Sequence, residues 1–223
     1  MPIGFKIHQR SRKVGQSSIA AFRSIPVANI SDSMSRLVAG GARLRPLHAG
    51  GGMAGPAFTV KTRPGDNLMV HKALDLAEPG DVVVVDAGGE LSQAIVGDLM
   101  LSYAIKRGLA GVVINGAIRD LDFVAGQRFP VYAAGVTHRG PYKDGPGEIN
   151  GPVAIDGMVI QPGDLVLGDM DGLLCVPFEV LAEVLAAAQA KQQAEATEHA
   201  AIEAGRNDRS WVDAALRRLG CEM

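Results

Sequence analysis

Two short apolar runs with a helical segment between them constrain the fold of this 223-residue chain more than any other feature. The runs are Val82–Val85 and Gly111–Ile114, and their unbroken apolar character indicates strands that are buried on both faces. Between them, the segment from about Gly97 to Arg107 has helical spacing, and Gly108 is placed to end it. A strand, a helix and a strand in this order predict two parallel strands joined by a right-handed crossover, and therefore an α/β fold.

Three Pro-Gly-Asp triplets, beginning at Pro64, Pro79 and Pro162, predict tight turns along the chain. Proline suits the first central position of a type II turn, and glycine suits the second because it accepts a positive φ. The second and third triplets lead into apolar runs, which we interpret as buried strands. The first triplet precedes residues 67–77, whose apolar spacing predicts a helix.

The two ends of the chain differ from this middle part. Residues 1–24 carry five basic side chains and show little periodicity, which favours a solvated N-terminal arm. Residues 25–176 form the predicted main domain, which begins near Pro26 with a short helix capped by Asn29 or Ser31. Residues 177–223 form a C-terminal extension, with a long helix that Gly205 ends and a final amphipathic segment from Trp211.

Charge and composition argue against several classes of protein. The chain has 24 acidic and 22 basic side chains, and this slightly acidic balance is a poor match for nucleic acid. Its apolar runs are shorter than the roughly 20 residues of a membrane helix, and the first residues lack a signal-peptide pattern. We therefore expect a soluble cytoplasmic protein without a membrane partner.

Cysteine and histidine give little evidence of a metal centre or a disulfide framework. Cys175 lies in an apolar run and is interpreted as a core residue, and Cys221 is the only other cysteine. The five histidines have no spacing typical of metal ligands, so each is interpreted as structural or solvated. They occupy positions 8, 48, 71, 138 and 199.

Two short polar motifs are the best candidates for a functional site. Gly97 and Asp98 open the predicted helix, where free backbone N–H groups favour an anion. Arg119 and Asp120 follow the next strand, and ligands of open α/β sheets bind outside the carboxyl ends of strands. The two motifs should therefore meet in one crevice. The alternative is structural, with Asp98 as a helix cap and Arg119–Asp120 as a surface ion pair.

The spacing of these motifs resembles the signature of the 4-hydroxy-4-methyl-2-oxoglutarate/4-carboxy-4-hydroxy-2-oxoadipate aldolases. In this signature an aspartate is followed, after twenty residues, by adjacent arginine and aspartate, as in Asp98 and Arg119-Asp120. The same superfamily includes the regulator of ribonuclease activity A (RraA). The resemblance runs from about Ile25 to the end of the long helix, and it includes segments 27–32, 55–57, 80–86 and 169–172.

The resemblance implies a role for each residue of the two motifs. The residue matching Asp120 coordinates a divalent cation, Mg²⁺ or Mn²⁺, whose other positions belong mostly to water and substrate. The match to Arg119 binds the 2-oxo acid end of the substrate through its planar guanidinium. The backbone from Gly97 to Met100, which includes Leu99, holds the pyruvyl carboxylate. The match to Asp98 positions a water of the metal's coordination shell that serves as base.

Two further positions separate the aldolases from the regulators. Lys143 matches an active-site lysine, although an exposed lysine in such a turn-rich loop is also ordinary. Glu195 matches a glutamate on the C-terminal helix that enters the site of a neighbouring subunit, and the alternative is a solvated helix face. The regulators are shorter and lack this helix.

The implied fold is a swivelling β/β/α body like the phosphohistidine domain, assembled as a homotrimer or homohexamer. The implied activity is metal-dependent cleavage of a hydroxylated 2-oxo acid to pyruvate plus pyruvate or oxaloacetate, with oxaloacetate decarboxylation as a side activity. Two alternatives stay open. Lys61, on a predicted strand, could form a Schiff base, or the chain could be a non-catalytic protein that inhibits a ribonuclease.

Overall fold

The structure is a computed structural model, and it describes residues 3–37 and 42–223. Its helices are α1 (Gln16–Phe22), α2 (Val27–Ser33), α3 (Leu68–Leu76), α4 (Asp98–Lys106), α5 (Leu121–Ala125), α6 (Leu181–Glu203) and α7 (Ser210–Arg218). Its strands are β1 (Phe5–Ile7), β2 (Arg45–Pro46), β3 (Met53–Thr62), β4 (Val82–Asp86), β5 (Ala94–Val96), β6 (Gly111–Ile118), β7 (Val131–Val136), β8 (Gly147–Ile149), β9 (Val153–Ile155), β10 (Met158–Ile160), β11 (Leu165–Gly168) and β12 (Leu173–Val176).

The predicted pair of buried parallel strands lies at the centre of the main sheet. Strand order in this sheet is β1-β8-β3-β4-β6-β7-β2, and β4 pairs in parallel with β3 on one side and β6 on the other. The four valines of β4 are fully buried because both faces of the strand are covered. The α/β prediction is confirmed. The more specific expectation of a swivelling body stays a prediction.

Strand β3 is long, and it pairs with other strands in two regions of the sheet. Its first residues pair antiparallel with β11, which in turn pairs with β12, and its later residues pair with β4. Every residue of β3 except Lys61 is buried. This strand therefore joins the β11–β12 layer to the layer that carries α3 and α4.

The Pro-Gly-Asp turns have the backbone that the sequence predicts. Gly65, Gly80 and Gly163 have φ values of 75°, 88° and 90°, which glycine adopts without steric cost. The helix α3 follows the first of these turns, and β4 and β11 follow the others. Local turn chemistry therefore fixes where these three elements begin.

The expectation of a solvated N-terminal arm holds for only part of residues 3–24, many of which are exposed, and residues 1–2 lie outside the described residues. Arg10 is only 8% exposed in its side chain, and its guanidinium donates to both carboxylate oxygens of the buried Asp81, at 2.8 and 3.0 Å. Helix α1 buries Ile19 and Phe22 against the body. A basic segment can pack against the body when a buried carboxylate pairs with its charge. This carboxylate lies far away in the chain, so the pairing produces no periodic pattern in the sequence of the segment.

The predicted cap of α2 is also wrong. The helix begins at Val27 after Pro26, and Asn29 and Ser31 both lie inside it. Asn29 is 5% exposed, and its amide Nδ2 donates to Glu195 of α6 at 2.6 Å. A long-range contact with α6 therefore explains this asparagine.

The C-terminal extension consists of α6 and α7, and Gly205, with φ of 63°, ends α6 as predicted. Only Val184 and Ala188 of α6 are buried, so the helix packs on the body through its first half. Trp211 of α7 is 65% exposed. Within residues 3–37 and 42–223, no helix is long and apolar enough to cross a membrane. A contact between the extension and a neighbouring subunit stays a prediction.

Candidate active site

A cleft of about 150 Å³ lies at the carboxyl ends of β5 and β6. This volume is below the roughly 300–1,000 Å³ of sites for drug-sized ligands, so the cleft suits a small molecule. It brings together six of the residues singled out in the sequence and adds others from α3 and β5. The lining residues are Asn67, His71, Ala94, Ile95, Val96, Gly97, Asp98, Leu99, Met100, Arg119, Pro141 and Lys143.

Strand β5, which the sequence did not predict, places the two motifs side by side. It is only three residues long, and it pairs in parallel with the end of β6. The backbone N–H of Arg119 then donates to the carbonyl of Val96 at 3.0 Å. Because two parallel strands end at the same edge, Gly97 and Asp98 start α4 directly beside Arg119.

Gly97 allows this close approach because it has no side chain. A Cβ atom at this position would lie 2.3 Å from Oδ2 of Asp120 and 2.9 Å from Nε of Arg119. Its backbone is extended, with φ of −142° and ψ of −168°, so the position requires space and not an unusual φ. The glycine is therefore needed for contact between the helix start and the Arg-Asp pair.

Asp120 has an uncommon backbone conformation and lies at the edge of the cleft, against two of its lining residues. Its φ of 58° and ψ of 45° are left-handed, which aspartate tolerates better than most residues and which is frequent at functional sites. Its Oδ2 accepts the backbone N–H of Asp98 at 3.0 Å and lies 3.5 Å from Nε of Arg119. This turn directs the carboxylate toward the start of α4.

The first turn of α4 attracts carboxylates, as the sequence predicts for a helix N-terminus. The N–H of Asp98 binds Asp120, and the N–H of Leu99 donates to Oδ1 of Asp98 at 2.7 Å. The structural alternative is partly realised, since Arg119 and Asp120 form a half-exposed ion pair. However, Gly97 and not Asp98 is the N-cap of α4.

Another part of the cleft lining comes from α3 and from the loop that carries Lys143. His71 lies in this part of the lining, and its pKa is lowered. Burial is the largest cause, and the positive charge of Lys143 lowers the pKa further. The negative charge of Asp75 raises it by a smaller amount. Asn67 is 2% exposed, and its Nδ2 donates to the Ile95 carbonyl at 2.9 Å. Lys143 and Arg119 therefore both place positive charges in the cleft.

Comparison with known proteins places the chain in a family. The model of the RraA-like family, described as Aldolase/RraA, matches residues 27–175, which is more than half of the 223 residues. The chain belongs to the RraA-like family. The matched range includes both motifs and Lys143, and it ends before α6, the helix that carries Glu195.

Relatives of this RraA-like protein have two kinds of name. A protein of Halalkalibacterium halodurans, provisionally named 4-hydroxy-4-methyl-2-oxoglutarate aldolase, is 42% identical over 174 residues, which are 78% of this chain and 83% of the relative. The RNA-processing inhibitor RraA from Thermus thermophilus has a TM-score of 0.63 and 31% identity, and the match covers 68% of this chain and 92% of that one. An uncharacterized Pseudomonas syringae protein has a TM-score of 0.77 and 30% identity, covering 86% and 95%.

Glu195 and Lys61 do not line this cleft in the RraA-like chain. Glu195 accepts the amide of Asn29 and pairs with Lys191 at 3.2 Å, and these two contacts, in that order, lower the pKa of the glutamate. Lys61 lies beside Arg63 and Glu148 in a separate groove. A Schiff base at Lys61 would therefore form away from the Arg-Asp pair.

Sequence reasoning missed two lining residues of this RraA-like protein, Asn67 and His71. The absence of metal-ligand spacing favoured a structural or solvated role for His71. The two residues are four positions apart at the start of α3 and line the same cleft. Their i,i+4 spacing after a predicted turn was the available signal, because such residues share one helix face.

The donor set of the cleft fits a hard divalent cation with few protein ligands. Among the described residues, Asp120 uses only Oδ2 in hydrogen bonding, so Oδ1 is available. In that part of the chain, no three or more His, Cys, Asp and Glu side chains are grouped so that they could hold a metal ion. Mg²⁺ or Mn²⁺, bound mainly by water and substrate, fits this small number of protein ligands.

Proposed function

We propose that this protein is a divalent-metal-dependent aldolase that cleaves 4-hydroxy-4-methyl-2-oxoglutarate, 4-carboxy-4-hydroxy-2-oxoadipate or both, releasing pyruvate. One observation carries the proposal: Asp98, Arg119 and Asp120 meet at the start of α4, beside a small cleft. An anion site, a guanidinium and carboxylates together are what a 2-oxo acid and its cation require. The aldolase names of the relatives support the same activity.

The start of α4 and Arg119 bind the pyruvyl end of the substrate. The start of α4 faces the substrate carboxylate, whose negative charge the helix dipole favours. The substrate would compete there with Asp120 and Asp98, which accept the N–H groups of Asp98 and Leu99. Arg119 is 42% exposed in its side chain, so its guanidinium has donors free for the oxygens at C1 and C2. This end of the site is the same for every 2-oxo acid substrate.

Asp120 would hold the divalent cation, Mg²⁺ or Mn²⁺, through its Oδ1 atom. The cation would supply Lewis-acid polarisation of the 2-oxo group. Gly97 keeps Asp120 in place, because its missing side chain leaves the carboxylate in contact with the helix start.

The reaction is a retro-aldol cleavage of the C3–C4 bond. A water oriented by Asp98 takes the proton of the C4 hydroxyl, C4 becomes a carbonyl, and the electron pair of the broken bond moves through C3 onto the 2-oxo group. Arg119 faces the negative charge that develops there, which lowers the barrier by preorganised electrostatics. Return of the proton from this water to C3 of the enolate gives pyruvate, and the other product is pyruvate or oxaloacetate. Oxaloacetate decarboxylation passes through the same enolate, so we expect it as a side activity.

Lys143 and His71 form the distal end of the site. Both line the same cleft as the pyruvyl-binding residues. Lys143 binds the distal carboxylate or the departing carbonyl, and His71, whose pKa is lowered by burial and by Lys143, provides an uncharged imidazole. Substrates with a distal carboxylate therefore fit better than simple hydroxy-oxo acids.

The working form of the enzyme is a homotrimer or homohexamer in which Glu195 reaches the cleft of a neighbouring subunit. In its own chain, Glu195 lies with Asn29 and Lys191, outside the cleft. Exposed apolar side chains beside the site, including Leu99 at 77%, support an interface there. Light scattering and a Glu195→Gln variant test this assembly and its role in activity.

The decisive experiment couples pyruvate release to lactate dehydrogenase, with each of the two substrates and Mg²⁺. We expect pyruvate release to stop when a chelator is added and to resume when Mn²⁺ is added. Borohydride should have no effect on it. Release that survives the chelator and is lost with borohydride would assign the chemistry to a lysine Schiff base. Absence of release with both substrates, at high enzyme concentration, would refute the proposal.

A second candidate function is non-catalytic inhibition of a ribonuclease. The observation that favours it is the likeness to the RNA-processing inhibitor from Thermus thermophilus. Lys143 in the same cleft as Arg119 argues for catalysis instead, because two cations in one small cleft suit an anionic substrate. RNA cleavage by a purified endoribonuclease, measured with and without this chain, tests inhibition directly.

A further inference from the structure

Asp66 is a fully buried carboxylate between β3 and α3 that contacts only hydrogen-bond donors. Its Oδ2 accepts the backbone N–H groups of Asp144 and Gly145, at 2.7 and 2.9 Å, and the guanidinium of Arg63 at 3.1 Å. Its Oδ1 accepts the backbone N–H of Leu68 at 2.9 Å. Burying a charge is costly unless several donors satisfy it, and here four donors do so.

These contacts join the two elements that form the distal wall of the cleft. Asp144 and Gly145 directly follow Lys143, and Leu68 begins the helix that carries His71. The N–H of Asn67 also donates to the carbonyl of Tyr142 at 3.0 Å. The N–H of Tyr142 donates in turn to the carbonyl of Gly65 at 2.8 Å. The Asp66 side chain therefore holds the lysine loop against the first turn of α3 together with these two backbone hydrogen bonds, and it is the part of this contact that a substitution can remove.

We infer that Asp66 is a positioning residue that holds Lys143 beside His71 in the substrate cleft. The inference rests on the proposed function for its catalytic consequence, and its structural consequence is independent of it. Asp66 does not line the cleft, so it acts through the lysine loop and touches no substrate. The loop has a turn-rich sequence, and a buried anchor is what gives such a segment one conformation.

The test is a double-mutant cycle with Asp66→Asn and Lys143→Gln. Asparagine has the same shape but only one acceptor oxygen, so in either orientation its NH₂ group faces a backbone donor. We expect Asp66→Asn to lower kcat/KM by about tenfold or more in the wild-type background, since a 1 Å misplacement costs on the order of a hundredfold. In the Lys143→Gln background the same change should alter kcat/KM by less than about twofold, because coupled residues are not additive.

The His71 titration, followed by NMR, gives a readout that does not depend on activity. Removal of the Asp66 negative charge alone would lower the pKa of His71, whereas movement of Lys143 away from His71 would raise it. A rise in Asp66→Asn that is absent in the Lys143→Gln background is the expected result. A fall, or a rise of equal size in both backgrounds, overturns the inference.

Two further variants keep the test decisive if Asp66→Asn folds poorly. Arg63→Gln changes a side chain that is 43% exposed, and it removes one donor from Asp66 without removing the buried carboxylate. Arg63→Gln should lower kcat/KM by about two- to threefold in the wild-type background. It should leave kcat/KM unchanged in the Lys143→Gln background. Asp164→Asn is the matched control, because Asp164 is 2% exposed and accepts the backbone N–H groups of Gln161 and Phe178, yet does not line the cleft.

The outcomes separate this inference from the proposed function. Wild-type protein without pyruvate release, but with the expected His71 titrations, would refute the aldolase and leave the positioning role intact. Active wild-type protein in which Asp66→Asn or Arg63→Gln lowers kcat/KM by the same factor in both Lys143 backgrounds would refute the positioning role alone. Equal effects of Asp164→Asn and Asp66→Asn would also refute it, since the loss would then reflect general stability.

Discussion

Replacement of Gly97 by alanine should remove activity without unfolding the protein. The added Cβ would lie 2.3 Å from Oδ2 of Asp120, and ordinary van der Waals contact begins at 3.4 Å. The Asp120 carboxylate or the helix start must therefore move by about 1 Å, a displacement that costs on the order of a hundredfold in rate when it affects reacting groups. Arg119 must also move, because its Nε would be 2.9 Å from the new atom.

The fold should tolerate this change for a physical reason. Gly97 has an extended backbone that alanine adopts freely, and the side chains that must move are about 40% exposed, at 42% for Arg119 and 37% for Asp120. Alanine also reduces the conformational entropy of the unfolded chain, which stabilises by roughly 0.4–1 kcal/mol. The melting temperature should therefore stay within about 2–4 °C of the wild-type value.

The assay measures kcat/KM by coupled pyruvate release, Mn²⁺ affinity by calorimetry and the melting temperature by circular dichroism. Gly15→Ala is a matched control, because Gly15 is also the N-cap of a helix and a Cβ at this position would have no neighbouring atom within 4 Å. We expect the control to retain wild-type activity. A Gly97→Ala protein with more than half of the wild-type kcat/KM would show that contact of the helix start with Asp120 and Arg119 does not form the site.

Three other predictions concern single side chains of the cleft. Asp120→Ala should lose Mn²⁺ binding and lower kcat/KM by at least about a hundredfold while keeping its circular dichroism spectrum; full activity without added metal would contradict it. Arg119→Lys should also lose about a hundredfold, because an ammonium cannot reproduce the planar fork of a guanidinium; an unchanged kcat/KM would contradict it. An NMR titration of His71 should show a raised pKa in Lys143→Gln, because the positive charge of Lys143 disfavours the imidazolium. It should show a lowered pKa in Asp75→Asn, because the negative charge of Asp75 favours the imidazolium. Opposite shifts would place Lys143 elsewhere.

Much of the candidate site could be predicted because its two motifs lie on strongly patterned elements. The valines of β4 and the apolar residues of β6 indicated buried parallel strands, and the structure pairs these strands directly. The helix that starts at Asp98 was predicted within one residue at either end. The side of a parallel sheet on which its strands end follows from chain direction alone, so the meeting of the two motifs was also predictable.

Other parts of the site depend on pairing that the sequence does not display. Strand β5 is too short to show periodicity, and it exists because β6 offers it a parallel partner. His71 lies in the cleft beside the Lys143 loop, which contacts the start of α3 through the hydrogen bonds of the buried Asp66. No local pattern around these residues reports that contact.

The sequence by itself determined the local conformations of this protein and the chemistry available to it. Turns at the Pro-Gly-Asp triplets, the buried strands and the Asp…Arg-Asp spacing are properties of short segments, and each depends on intrinsic backbone preference or on side-chain periodicity. The tertiary structure decided which segments meet. It buried Arg10 against Asp81, placed Gly97 within reach of Asp120, and brought Lys143 into the same cleft as Arg119. These contacts arise from packing between residues distant in the chain, and local sequence preference carries almost no information about such packing.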